Sequence, residues 1–143
     1  MTQTEYKPLN WKPVPGIGYT VTRRPDGGMH YVFTDLDRAT LEHWRDFALE
    51  HLYDSDRLTR NLYDLRQVKE IPEEAIHFAV EANSDPAARN IRLAVVVASP
   101  AVKEAVEAIA AQTTVPGGGA NIKLFTDLDE AEAWLSRPLE SMV

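Results

Sequence analysis

The residues best equipped for chemistry are the aspartates of FTDLD, a pentapeptide that stands at Phe33–Asp37 and again at Phe125–Asp129. In both places an apolar stretch hands over to a helical pattern. Carboxylates so closely spaced have the chemistry to act as nucleophile, as general acid and base, or as ligands of a hard cation. They also suit a plainer task. Thr34 with Asp37, and Thr126 with Asp129, have the offset of a capping box, which satisfies the amides left unpaired at the start of a helix. Capping is the expected role of both copies.

Five other polar residues, Asp64, Arg66, Lys69, Ser99 and Lys103, fall in loops that follow two predicted strands. In open α/β sheets, ligands meet the loops at the carboxyl ends of the strands, so these residues, with Asp35 nearby, are the candidates for a mixed-charge anion or partner site. Their plainer reading is as solvated strand-end residues. Gly117-Gly118-Gly119 precedes a strand, whereas a phosphate cradle follows a strand and opens a helix, so a flexible connection is expected. Of the histidines His30, His43, His51 and His77, only His43 and His51 share a helical face, about 12 Å apart along the axis. That is too far for one metal, and all four are expected on the surface, so neither metal nor cofactor is assigned. No serine stands in a G-x-S-x-G elbow, and the absence of cysteine removes thiolate catalysis, disulfides and thiolate zinc sites together.

The elements that must carry these residues are organised around Ile91–Ser99, IRLAVVVAS. Its β-branched run is too short to span a membrane and reads as a strand buried on both faces, in a parallel sheet covered by helices. Tyr19–Arg24 alternates apolar with polar, and Met29–Phe33 follows Pro25-Asp26-Gly27-Gly28, a turn that predicts an antiparallel hairpin. A helix to about Tyr53 places Leu41, Trp44, Ala48 and Leu52 on the sheet. Arg60–Leu65 is the next strand, and Ile71-Pro72-Glu73-Glu74 opens a helix whose inner side is Ala75, Ile76, Ala79 and Val80. Pro100 to about Gln112 buries Val102, Ala105, Val106 and Ile109, Asn121–Phe125 is the last strand, and Asp127 to about Leu135 is the closing helix, with Ala131, Trp134 and Leu135 inward. The expectation is one α/β domain: a single mixed, mostly parallel five-stranded sheet in the order ββαβαβαβα with an antiparallel N-terminal hairpin. Residues 1–16, with Pro8, Pro13 and Pro15 around Trp11, read as an extended arm ahead of a domain at 17–143, with Trp11 laid either on its own sheet edge or on a second subunit.

That order, together with YDLRQV at Tyr63–Val68, the valine-rich strand and the ending IKLFTDLDEAEAWL at Ile122–Leu135, resembles the SpoIIAA-like branch of the STAS domains. The resemblance implies a regulatory module that acts by binding a protein partner or a second copy of itself. Relatives among the anti-sigma-factor antagonists carry a phosphorylatable serine at the start of the helix after the "DL" strand. The corresponding stretch here, Lys69–Glu74, has no hydroxyl, so that switch is not expected. Kinship of the branch with lipid-binding SEC14-like domains implies an alternative, a small apolar ligand or lipid. A weaker resemblance, to the haloacid-dehalogenase phosphatases, rests on the FTDLD aspartates, Ser99 and Lys103 and implies Mg²⁺-dependent phosphate hydrolysis by Asp35 and Asp37. The pattern departs from that family, because the hydroxyl expected two residues after Asp37 is Ala39 and Thr40 comes one place late.

Composition narrows the classes further. With 15 basic and 22 acidic residues the net charge of −7 repels a phosphate backbone, and nucleic acid is not an expected partner. The N-terminus has no apolar signal region and no stretch is long enough to cross a bilayer, which predicts a cytoplasmic protein without an integral membrane segment. The sequence assembles no reaction centre, and the expected activity is binding rather than catalysis.

Overall fold

The computed structural model describes residues 14–24, 28–54, 59–83, 91–112 and 121–136. The elements run β1 (Tyr19–Arg23), β2 (Met29–Phe33), α1 (Arg38–Asp54), β3 (Thr59–Asp64), α2 (Glu73–Asn83), β4 (Ile91–Val96), α3 (Pro100–Gln112), β5 (Asn121–Phe125) and α4 (Leu128–Leu135). The strands form one sheet in sequential order β1-β2-β3-β4-β5; β1 and β2 are antiparallel and every later pair is parallel. The valine-rich segment is therefore interior β structure, with Arg92 through Val97 all buried.

Sequential order has a geometric consequence. Each parallel crossover steps the same way across the sheet and is right-handed, so α1, α2 and α3 must all lie on one face. Alternation along the strands supplies that face with Tyr19 and Val21, Tyr31 and Phe33, and Leu93 and Val95, which pack with Leu41, Trp44 and Phe47 of α1, Ala75 and Phe78 of α2, and Val102 and Val106 of α3. Each large side chain buried there contributes about 1.5–3 kcal/mol. The opposite face is left to α4, whose Ala131, Trp134 and Leu135 cover Leu62, Ala94 and Val96. An uninterrupted apolar run in β4 thus serves two unequal cores.

The second face is cationic as well as apolar. Arg60 and Arg92 are directly opposed across β3 and β4. Like charges so placed repel, and α4 supplies compensation from its negative end. Arg92 Nη1 donates to the carbonyls of Trp134 at 3.1 Å and Leu135 at 3.4 Å, and its guanidinium sits 5.5 Å from the Trp134 ring centroid. Buried Arg24 pairs with Glu132 of α4 at 2.8 Å.

Several expectations shift on the structure. β3 lies one residue earlier than expected, although Leu65 still donates its amide to Val96 O at 2.9 Å. In α2 the buried large residue is Phe78 and not Ile76 or Val80, which are half-exposed, because the helix turns toward α1 as well as the sheet and sets Phe78 under the Arg45 guanidinium, 5.0 Å away. Of the proline-rich arm, only its end is described. There Ile17 N donates to Val14 O at 3.1 Å around Pro15 and a Gly16 with φ of 85°, a type II turn where an extended segment was expected. Trp11, the Pro25–Gly27 turn and Gly117–Gly119 lie outside the described residues.

Candidate functional site

Between the first sheet face and its helices lies an apolar pocket, partly open to solvent, with about 80 Å³ of space inside it. Tyr63, Leu93 and Val95 form its floor, and Trp44, Ala79 and Ile109 part of its roof. The space exists because α2 presents alanines, Ala75 and Ala79, at positions where a larger side chain would fill the layer. Neighbouring aromatic groups cannot collapse into it. Tyr63 is stacked on Tyr31 with centroids 4.4 Å apart, and its hydroxyl accepts from Trp44 Nε1 at 3.0 Å, so the two largest wall residues hold each other in place.

The cavity wall is chemically quiet. Burial pushes the phenol of Tyr63 in the lining, and that of Tyr31 stacked on it, well above their usual range, so both stay protonated at neutral pH. A hydrogen-bonding ligand would find few partners among walls of leucine, valine, isoleucine and alanine, and burying an unpaired polar group costs a few kcal/mol.

The residues singled out in the strand-end loops form two separate pairings. Asp64 accepts from Arg66 Nε at 2.9 Å, Arg66 Nη2 at 2.7 Å and the Arg66 amide at 3.0 Å, a two-pronged clasp that holds the Asp64 carboxyl below its ordinary range. Ser99 Oγ donates to the Lys69 carbonyl at 3.0 Å and accepts from Ala101 N at 3.2 Å, which ties the loop after β3 to the start of α3. Lys69 and Lys103 are exposed. All five sit at the carboxyl edge of the sheet, but the polar atoms of Asp64 and Ser99 are engaged in local structure.

The two FTDLD copies divide their labour differently. In the second, Asp127 caps α4, accepting from Asp129 N at 2.8 Å. In the first, Asp37 caps α1, accepting from Thr40 N at 2.9 Å, while Asp35 accepts from Leu36 N at 2.7 Å. Neither threonine takes the capping-box position expected of it. Thr34 is held instead by Gly18, whose carbonyl accepts the Thr34 amide at 2.8 Å and the Asp35 amide at 3.2 Å. Those amides are spent on the residue just before β1, and α1 starts two residues later in its motif than α4 does.

The histidines also depart from expectation. His43 is half-buried, with Nδ1 2.8 Å from the Tyr19 hydroxyl, because Tyr19 faces α1. His30 is half-buried on the second face, where its Nε2 has no hydrogen-bond partner among the described residues. His77 is exposed. Among the described residues no group of three or more histidines and carboxylates is placed to hold a metal, and no helix is long and apolar enough to cross a membrane. Comparison of the chain with family models, with curated proteins and with solved structures finds no match.

The cavity was not signalled by any motif. The only trace of it in the sequence is the spacing of Ala75 and Ala79 on the inner side of α2, which by itself reads as ordinary packing.

Proposed function

We propose that this chain is a binding module whose ligand is a small apolar molecule, about the size of a benzene ring, held in the cavity between the sheet and α1–α3. The observation that carries the reading is an apolar pocket kept open by a mutually braced Trp44 and Tyr63. Apolar cavities stay dry and take up compact hydrocarbons, since water gains no partners inside them. The space inside favours a compact apolar group over a bulky one, since pockets for drug-sized molecules run to several hundred Å³. The resemblance to STAS domains supports the same class of role, a regulatory module whose empty and filled states a protein partner reads. Engagement of Asp35 and Asp37 in backbone hydrogen bonds favours binding over phosphate hydrolysis.

The test is thermal melting of the purified protein with benzene or under xenon. Benzene at ten times its dissociation constant stabilises by about 1.4 kcal/mol, a rise in Tm of about 3–6 °C. Ala79→Val fills the space and abolishes the rise. A wild-type protein whose Tm ignores both probes sinks the proposal.

A further inference from the structure

Because the pocket is partly open, a ligand seated in it keeps one end in solvent, and the residues around that end decide what it can carry. Inside, the walls offer little to a polar group: the Tyr63 hydroxyl already accepts from Trp44 Nε1, and the rest of the lining is hydrocarbon or aromatic. A polar head therefore stays at the mouth. Leu36, Leu65 and Ile71 bring the lining to the carboxyl edge of the sheet, where Leu36 and Ile71 are half-buried. The connections that hold those two residues are acidic. Residues 34–38 carry Asp35 and Asp37 beside Arg38, and residues 69–74 carry Glu70, Glu73 and Glu74 beside Lys69. The start of α3, at the same edge, adds Lys103 and Glu104, which offset each other. The Arg38 guanidinium is already engaged, donating from Nε to Glu42 at 3.0 Å and from Nη1 to Glu74 at 3.2 Å.

We propose that the ligand of this pocket is a small amine, with an aryl or alkyl group inside and an ammonium at the mouth, between the connections that lead into α1 and α2. The proposal rests on the reading that the pocket binds a compact apolar group, and adds the charge of the end left outside. Two independent features favour a cation there. On the two connections, five carboxylates stand against two basic side chains. Exposed charges act weakly one by one, but several of one sign around a low-dielectric cleft sum to a potential that draws in the opposite charge. The lining supplies the second feature, since Phe33, Trp44 and Tyr63 bring three aromatic rings to it, and ring quadrupoles favour a cation nearby. The positive ends of α1 and α2 pull the other way and are answered locally: Asp37 caps α1, and Glu73 and Glu74 stand in the first turn of α2. Lys69 and Lys103, the exposed lysines of this edge, each stand next to a glutamate in sequence, which weakens their claim on an anionic head.

The experiment titrates the full chain at neutral pH with benzylamine, benzyl alcohol and benzoate, which share a ring and differ in charge, and reads Kd by NMR at low and high ionic strength. Benzylamine binds about three- to tenfold more tightly than benzyl alcohol at low salt, benzoate binds more weakly than the alcohol, and high salt draws the three together. Asp35→Asn combined with Glu73→Gln cuts the preference for the amine over the alcohol about two- to fourfold, and Asp35→Asn combined with Glu73→Lys cuts it further. Benzylamine that binds no better than the alcohol at low salt, or a preference that these substitutions leave intact, overturns the amine and leaves the apolar pocket standing. A wild type that binds neither benzene nor any of the three overturns both.

Discussion

A Cβ built on Gly18 would lie 2.4 Å from the Cβ of Asp35 and 3.0 Å from its amide nitrogen. The approach is this close because the Gly18 carbonyl takes two amides from the loop that leads into α1, and the Gly18 amide in turn donates to buried Thr40 Oγ1 at 2.9 Å. Backbone rather than a flexible side chain is in the way, so Gly18→Ala must push the loop off its partner. It is expected to destabilise the fold by about 1–3 kcal/mol in urea unfolding. Gly16→Ala meets no atom within 4 Å but keeps a φ of 85°, and is expected to cost about 1 kcal/mol from backbone strain alone.

The offset between the two FTDLD motifs separates residues that look alike. Asp127→Ala removes the cap of α4 and is expected to cost about 1 kcal/mol, whereas Asp129→Ala leaves the cap in place and changes stability little. In α1 the order is reversed: Asp37→Ala destabilises and Asp35→Ala does not. Equal effects within each pair in chemical denaturation would contradict the caps described.

How far this was legible in the sequence depends on whether the determinant was local. Period-two alternation in Tyr19–Arg23 and the run in Ile91–Val96 declare their burial directly, and right-handed crossovers then fix the sheet order. The identical FTDLD motifs could not reveal their different caps, because the difference comes from Gly18, which is distant in the chain from the motif it restrains. The cavity is harder still to foresee. It is a volume left over when three helices settle on one face, and no single residue type encodes it. Arg92 reads as a break in an apolar run until α4 is seen to end above it.

Arg92 is 2% exposed and ties two α4 carbonyls to the sheet. Arg92→Ala removes those donors together with the surface on which Trp134 rests, and is expected to destabilise by about 2–4 kcal/mol, with a red shift and loss of Trp134 fluorescence as α4 lifts. Glu132→Gln leaves Arg24 a neutral partner and is expected to have a smaller effect in the same direction.

Among the described residues, His30 and Asp64 both give the fold a sensitivity to acid. Desolvation lowers the pKa of His30, opposed by Asp64 and Glu132 and reinforced by Arg24 and Arg66. Its folded state therefore holds fewer protons than the unfolded chain, and the stability it contributes is present above the ordinary histidine pKa of about 6.5 and declines as pH falls through it, by up to about 1.4 kcal/mol per pH unit. Asp64 is held below its usual range by Arg66, so its contribution persists to lower pH and is lost only as pH drops below about 4. Urea midpoints measured from pH 8 to pH 3 are expected to fall in two stages. His30→Val removes the first stage and Asp64→Asn reduces the second, to which Asp37, held low by its hydrogen bonds from Thr40, also contributes.

Enlarging the cavity provides the last prediction, since it separates stability from binding. Leu93 lines the floor and is 5% exposed, so Leu93→Ala removes a well-packed side chain and extends the void toward β4. The loss of packing is expected to cost about 2–5 kcal/mol. The same substitution gives an apolar probe more room, and benzene should bind more tightly than to wild type and recover part of the lost stability, with a larger rise in Tm at equal concentration. Calorimetric melts with and without benzene check both halves. A destabilised variant that gains nothing from the probe would mean that the space closes when Leu93 is cut back, and that the Trp44–Tyr63 brace does not hold it open.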